Sequence, residues 1–129
     1  MAESEATPGP RGLLLSRDLI FTSKVTGTAR ELGYQVLTAG NTALASSMIT
    51  EWQPKVVFVD LAAGELASTS AILAYRRLAP QQTAFVAFGS HVDTANLDAA
   101  RDAGCDPVLP RSQFSAHLPD LIRRYLGPY

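Results

Sequence analysis

The sequence predicts an α/β fold, a doubly wound parallel sheet of five strands with helices on both faces. Short apolar runs alternate five times with segments of helical spacing, which is typical of βα units joined by right-handed crossovers. Within the runs, apolar and polar residues do not alternate, and such runs favour strands that are covered on both faces. A chain of 129 residues is also too short for an eight-unit barrel.

The elements follow one another from Gly12 onward. Strands are predicted at the apolar runs 13–15, 34–38, 56–59, 83–88 and 107–109. Helices are predicted between and after these runs, at about 18–32, 42–52, 66–78, 92–103 and 116–126. Asn41 or Thr42 caps the second helix, and a glycine or proline follows each helix, in order Gly33, Pro54, Pro80, Gly104 and Gly127. Helical spacing points several side chains inward, among them Ile20, Phe21, Val25, Ile72, Tyr75, Leu78, Val92, Leu97, Leu118 and Ile122.

Composition limits the classes of function. Residues 1–11 are predicted to form a flexible tail and residues 12–129 a single domain. The net charge of −1 argues against a dedicated nucleic-acid binder. The single cysteine, Cys105, excludes an intrachain disulfide and indicates a reducing compartment. No apolar run approaches the roughly 20 residues of a membrane span. We therefore expect a soluble, cytoplasmic protein with no membrane or nucleic-acid partner.

The candidate site lies where strands end. In a doubly wound sheet, ligands bind beyond the carboxyl ends of the strands. Asp60 ends the third run, and a buried carboxylate there is costly unless something uses it. The residues that follow the other central runs, and so complete the candidate pocket, are Ser16, Arg17, Asp18, Gly89, Ser90, Pro110 and Arg111.

Three segments resemble a response-regulator receiver domain. They are ELGYQVLTAGN, QPKVVFVDL and LDAARDAGCDPVL, and the resemblance extends from about Gly12 to Leu126. It implies the flavodoxin-like, CheY-like (βα)5 fold with strand order 2-1-3-4-5. It also implies that Asp60 stands where the family accepts a phosphoryl group from the phosphohistidine of a partner kinase.

The other pocket positions depart from the family pattern. The acidic pair that holds the family's divalent cation corresponds to Ser16 and Arg17, with Asp18 next along. The switching Thr or Ser corresponds to Gly89, which Ser90 follows. The Lys of the Lys-Pro pair that ends the family's fifth strand corresponds to Pro110, so Arg111 reaches the pocket only by a changed path.

Three interpretations of Asp60 follow. It accepts phosphate with help from Asp18 and a displaced Ser90 or Arg111. It is held as an ion by Arg17, which takes the place of the metal. Or it only caps the next turn or faces water.

The leading functional hypothesis rests on the second interpretation. It describes a stand-alone pseudo-receiver, not an enzyme, that acts as a protein–protein interaction module in two-component signalling without a cofactor. The alternative is a single-domain response regulator that is phosphorylated on Asp60, uses Mg²⁺ and dephosphorylates itself. A third hypothesis is a small flavodoxin-like domain that binds a nucleotide or flavin, and the missing phosphate-binding loop argues against it.

The expected partner is another signalling protein, such as a histidine kinase or an output protein, with a homodimer as a further arrangement. In the family, the face of the fourth helix, fifth strand and fifth helix mediates such contacts. Here that face includes Asp98, Arg101, Asp102, Arg111, Arg123 and Arg124. Mixed charges of this kind suit a selective interface.

Overall fold

Five parallel strands form one sheet in the order β2-β1-β3-β4-β5, which confirms the predicted fold class and strand order. The structure, a computed structural model, describes residues 10–127. The strands are β1 Arg11–Leu15, β2 Gln35–Ala39, β3 Val56–Asp60, β4 Ala84–Gly89 and β5 Val108–Pro110. The predicted tail of residues 1–11 lies largely outside the described residues, but Arg11, which that prediction included, begins β1.

Helices cover both faces of the sheet. They are α1 Leu19–Glu31, α2 Thr42–Trp52, α3 Thr69–Leu78, α4 Thr94–Asp102, α5 Arg111–Ala116 and α6 Leu118–Leu126, and a 3₁₀ turn, Gly64–Ala67, precedes α3. Side chains of α2, α3 and α4 pack in one apolar cluster, and those of α1, α5 and α6 pack in the other. Within residues 10–127, no helix combines the length and the apolar character that a membrane crossing requires.

Strand β3 occupies the centre of the sheet. It pairs with β1 on one side and with β4 on the other, and all five of its residues are buried. Its last residue, Asp60, pairs with Phe88 of β4. The carboxyl end of β3 therefore lies between the loops that follow β1 and β4, where a doubly wound sheet places its site.

Short polar side chains begin most of the helices. The Asp18 carboxylate accepts the Phe21 N–H at the start of α1, and the Asn41 side chain accepts the Leu44 N–H at the start of α2. The prediction that α2 is capped at 41 or 42 is confirmed. Gly33, with φ of +88°, follows the end of α1 as predicted.

Three side chains that were predicted to point inward are exposed, so these predictions were wrong. Ile20 is 85% exposed, Val92 is 75% exposed and Leu78 is 45% exposed. Ile20 lies in the first turn of α1, Leu78 is the last residue of α3, and Val92 precedes α4. Helical periodicity predicts an inward direction for such terminal residues, although the helix packs against the sheet only along its middle.

Two boundaries near the carboxyl terminus also differ from the prediction. The predicted helix over 116–126 is preceded by α5, and the two helices are separated at His117, which has φ of −109° and ψ of 19°. The fifth strand spans Val108–Pro110 rather than 107–109. The shift of one residue changes which side chain follows the strand, and this affects the site.

Candidate functional site

Asp60 is a buried carboxylate at the carboxyl end of β3, with 2% of its surface exposed. The four residues before it are apolar and fully buried, so the strand itself offers the side chain no polar partner. Burying a carboxylate without hydrogen bonds or a counter-charge is very unfavourable. The groups that compensate this cost define the site.

Three donors from three different elements reach Asp60. The Ser16 hydroxyl donates to Oδ2 at 2.7 Å from the end of β1. The Arg111 guanidinium donates through Nη2 to Oδ1 at 2.7 Å from the first residue of α5. The Ala62 N–H donates to the same oxygen at 3.0 Å from the loop after β3. Both carboxylate oxygens are therefore hydrogen-bonded, and one of them faces a cation.

Aromatic rings hold the Arg111 guanidinium in place. Its central carbon lies 4.8 Å from the centroid of the Phe21 ring and 5.4 Å from that of Phe88. The Phe88 ring stacks on the ring of Phe114 in α5, with the two ring centroids 4.1 Å apart. A guanidinium packed on aromatic faces keeps its charge and loses mobility. Arg111 is thus oriented toward Asp60 although its side chain is 32% exposed.

The arginine that pairs with Asp60 is not the predicted one. The sequence interpretation assigned the pair to Arg17, but the Arg17 residue is exposed and forms no ion pair with Asp60. Ser16 is 4% exposed and turns to Asp60, so Arg17, one residue further along the chain, turns away.

The prediction that Pro110 follows the last strand, and that Arg111 reaches the pocket only by a changed path, was also wrong. Strand β5 runs through Pro110, which pairs with Gly89. Arg111 is the first residue after the strand, and it reaches Asp60 along the normal path of the chain. The sequence signal that could have predicted this position is the end of β5. A predicted strand that ends at Pro110 instead of residue 109 makes Arg111 the first residue after the strand.

Asp18 lies beside the site, and only its backbone takes part in it. Its carboxylate accepts the Phe21 N–H at 3.0 Å, as the cap of α1. Its own N–H donates to the Ser16 hydroxyl oxygen at 3.2 Å. Asp18 therefore orients Ser16 through its backbone, while its carboxylate is engaged by the helix.

The end of β4 brings no hydroxyl group to Asp60. Gly89 is buried, and a Cβ there would lie 3.2 Å from Cβ of Leu61 and 3.3 Å from its Cδ1. A side chain at this position would therefore require Leu61 to shift by a few tenths of an ångström. The Ser90 residue is exposed, and its hydroxyl oxygen accepts the Val92 N–H at a long 3.4 Å. Ser90 is therefore not among the three donors to Asp60.

The residues at this site do not fit a resident divalent cation. Mg²⁺ favours an octahedron of oxygen ligands that includes one or two carboxylates. Within residues 10–127, no cluster of three or more His, Cys, Asp or Glu side chains could hold a metal ion. Asp60 belongs to no such cluster, and the Arg111 cation already lies at its Oδ1. A dication there would find one carboxylate oxygen, Oδ2, that does not already pair with a cation, and an octahedral site needs more than that.

Two other buried groups are structural. The Tyr75 hydroxyl donates to the Leu66 carbonyl at 2.7 Å and fixes the 3₁₀ turn that follows Asp60. Burial, with a smaller contribution from Glu65, raises the pKa of Tyr75 to about 12. Burial also raises the pKa of the Cys105 thiol to about 11, although Arg76 opposes the shift. A buried thiol with a raised pKa is a poor nucleophile near neutral pH.

The chain matches no protein-family model and no curated protein. It does resemble many solved structures of response-regulator receivers. A response regulator from Thermotoga maritima aligns with a TM-score of 0.75 and 19% identity, over 93% of this chain and 99% of that one. The receiver domain of a sensor histidine kinase from Pseudomonas aeruginosa, which holds a magnesium ion in its active-site cleft, aligns with a TM-score of 0.77 and 18% identity over the same shares.

A putative response regulator from Chloroflexus aurantiacus gives a TM-score of 0.76 at 17% identity, over 95% of this chain and all of the other. The chain therefore has the fold of response-regulator receiver domains, as the sequence resemblance predicted. At such low identity the likeness establishes the fold, and the function of the pocket depends on the residues described above.

Proposed function

We propose that this protein is a pseudo-receiver, a signalling module that acts through protein–protein contacts and is not controlled by Mg²⁺-dependent phosphorylation of Asp60. One observation supports this most strongly. The Arg111 guanidinium lies 2.7 Å from Asp60 Oδ1 and supplies, from within the chain, the positive charge that a bound cation would otherwise bring.

The contacts at Asp60 oppose phosphoryl transfer. A carboxylate that attacks a phosphoryl group needs a free lone pair and a cation to offset the repulsion between the two anions. Here Oδ1 accepts from Arg111 and Ala62, and Oδ2 accepts from Ser16, so three of the four lone-pair sites of the carboxylate are engaged. Each of these bonds lowers the electron density available for attack. Since no cluster of metal-binding side chains includes Asp60 in the described part of the chain, a metal ion would have little to bind.

The alternative function is a response regulator that is phosphorylated on Asp60. One feature favours it, because the Arg111 side chain is one-third exposed and has room to move toward an incoming phosphoryl oxygen. In this alternative Arg111 leaves Oδ1 free for attack and then pairs with the product. The alternative still lacks the carboxylates that would hold Mg²⁺.

One measurement of intact mass distinguishes the two functions. The protein is incubated with Mg²⁺ and acetyl phosphate, and its intact mass is recorded beside that of Asp60→Asn. A receiver with a complete acidic pair is treated in the same way as a positive control. We expect no phosphoryl adduct on the wild type. An adduct that is present on the wild type and absent from Asp60→Asn would establish the alternative.

The predicted docking face of α4, β5 and the last helices remains part of this proposal. Two of its arginines are engaged within their own helices, Arg101 with Asp98 at 2.8 Å and Arg123 with Asp120 at 3.3 Å. Arg111 is turned to Asp60. Beside β5, a cleft of about 500 Å³ is lined by Pro107, Leu109, Gln113, His117, Leu121 and Arg124, among others.

We propose that this cleft receives the signalling partner or a second copy of the chain. The half-buried apolar residues Leu109 and Leu121 line it, together with the charged residues Asp106, Asp120 and Arg124. Light scattering across a range of concentrations tests the homodimer. If the cleft forms the dimer, Leu121→Asp yields a monomer at concentrations where the wild type is dimeric. A dimer that persists in this variant excludes the cleft as its interface.

A further inference from the structure

The two edges of the sheet are protected to different degrees. Strand β5 forms one edge, and it has three residues, with Pro107 just before it and Pro110 as its last residue. A short strand bounded by prolines pairs poorly with a further strand. Strand β2 forms the other edge with five residues, none of which is proline or charged, and it pairs with β1 without a bulge. Because an unprotected edge strand readily takes up another strand, we expect β2 to be covered.

The open backbone groups of β2 belong to Val36 and Thr38. The Ala39 carbonyl accepts the Ser16 N–H at 3.3 Å, so the backbone of Ala39 bonds toward β1. Alternate residues of a strand direct their N–H and C=O to opposite sides, so Leu37 also bonds to β1, and Val36 and Thr38 point away from it. Within residues 10–127, no strand and no backbone hydrogen bond of a loop or turn reaches Val36 or Thr38 on that side. Their N–H and C=O groups are therefore ready to pair with a further strand.

A groove of about 360 Å³ runs beside this edge on the side of α1. It is lined by Thr26, Arg30, Tyr34, Gln35, Val36 and Leu37. Arg30 is the one charged residue among them, and it forms no ion pair within residues 10–127. The groove thus suits an extended segment with a carboxylate on the side that faces α1. The β2 strand of a second copy suits it less, because it would bring a second Arg30 to the same face of the extended sheet.

We propose that residues 2–7 of this chain, which we call the edge segment, pair with β2 as a sixth strand antiparallel to it. The segment is close enough to do so, because β1 begins at Arg11, which pairs with Gln35 at the start of β2. A strand beyond β2 lies two strand spacings from β1, about 9–10 Å away. The Pro-Gly-Pro sequence of residues 8–10 spans about 10 Å at roughly 3.3 Å per residue, so it carries the chain past the end of β2.

The composition of the edge segment fits the groove. Glu3 and Glu5 are two positions apart, so both carboxylates lie on the same side of an extended segment. The residues on its other side are alanine or serine, which are small, and the segment contains no lysine or arginine. With its carboxylates directed toward α1, the edge segment brings one of them to Arg30.

The pairing should be displaceable. Alanine, glutamate and serine are weak strand formers, and exposed ion pairs stabilise only slightly. The edge segment therefore keeps two copies from pairing edge to edge, and a strand of another protein binds β2 only by displacing it. The prediction of a flexible tail rested on the local sequence, which does not show the open edge beside it. The inference does not involve the Asp60 pocket, so phosphorylation of Asp60 would leave it unaffected.

Amide hydrogen exchange followed by NMR tests the pairing in the full chain. The test variant carries Ser4→Pro and Thr7→Pro, positions of opposite alternation, so in any register one proline removes an N–H that bonds to β2. We expect the Val36 and Thr38 N–H groups to exchange at least about fivefold faster in this variant, with the Leu37 N–H unchanged because it bonds to β1. The control, Ser4→Ala with Thr7→Ala, should exchange like the wild type.

Two results of this experiment overturn the inference. Rates for Val36 and Thr38 that are equal in the wild type and the proline variant would show that the edge is open to another molecule. Acceleration that includes Leu37 to the same extent would show a general loss of stability instead of a lost strand.

A charge exchange tests the side of the segment that faces α1. Arg30→Glu should raise the exchange rates of Val36 and Thr38 about threefold, and Glu3→Lys with Glu5→Lys in the same chain should restore them. Arg77→Glu is the matched control, since Arg77 is an exposed arginine in the last turn of α3, as Arg30 is in that of α1. An equal effect of the control, or no restoration by the two lysines, contradicts the inference.

Protein concentration distinguishes the segment of the same molecule from that of a second copy. Pairing within one molecule predicts equal exchange rates for Val36 and Thr38 at concentrations that differ about tenfold. Protection that increases with concentration would assign the edge to a second copy and overturn the inference.

Discussion

Replacing Arg111 by methionine removes the counter-charge of Asp60 and keeps most of the apolar stem. The variant leaves a carboxylate that is 2% exposed with two neutral donors, Ser16 and Ala62. Breaking a buried ion pair costs about 3–5 kcal/mol. Because Arg111 is one-third exposed and two hydrogen bonds remain, we expect a loss of about 2–3 kcal/mol in the free energy of unfolding.

Asp60→Asn should cost less. It leaves a cation that can turn to water, so the expected loss is about 1–2 kcal/mol. In the double variant, neither charge is left unpaired. Its loss should therefore fall short of the sum of the two single losses by about 1–2 kcal/mol, and this difference measures the coupling between the two side chains.

Urea unfolding measures these losses by circular dichroism, with Trp52 fluorescence as a second probe. Arg101→Met is the matched control, since it removes an arginine from an exposed ion pair with Asp98. That pair should contribute only about 0.5 kcal/mol. If Arg111→Met costs no more than this control, or if the coupling is absent, Arg111 does not compensate the buried charge and the reasoning fails.

Three further outcomes follow. Below pH 10 the native state keeps the full stabilisation that comes from the protonated Tyr75. Between pH 10 and the folded pKa of about 12, the free energy of unfolding should fall by about 2–3 kcal/mol. Urea titrations of Tyr75→Phe should not show this fall. The Cys105 thiol should react with a disulfide reagent about 100-fold faster in urea than in the native state. Equal rates would show that the thiol is already accessible in the native state. Ser16→Asp, which sets a second carboxylate against Asp60, should lower the melting temperature and allow Mg²⁺ to restore it, whereas neither the wild type nor Ser47→Asp should respond to Mg²⁺.

The sheet and the position of Asp60 could be predicted from the sequence because both depend on local patterns. Five apolar runs separated by helical segments leave few arrangements for a chain of this length. The run Val56–Val59 ends at Asp60, and in a parallel sheet such a residue lies at the carboxyl edge. The helix cap at Asn41 has a similarly local cause, since its side chain bonds an N–H three residues away.

The partner of Asp60 could not be predicted in the same way. Asp60 and Arg111 are 51 positions apart, and their contact depends on where β5 ends. That strand has three residues, with Pro107 just before it and Pro110 as its last residue, so its apolar run does not define the end to within one residue. Arg17 was the natural candidate from sequence because it is the cation nearest to the end of β1, but Ser16, which follows β1 directly, takes the inward position.

The central claim is that the Asp60 pocket does not respond to phosphate chemistry because Arg111 already occupies it. Amide NMR spectra recorded before and after addition of Mg²⁺ with beryllofluoride, a stable mimic of a phosphoryl group on aspartate, test this at equilibrium. The account predicts unchanged amide signals for Asp60, Ala62, Gly89 and Arg111. Saturable shifts at these residues that disappear in Asp60→Asn would contradict it and show that the pocket binds a phosphoryl group after all.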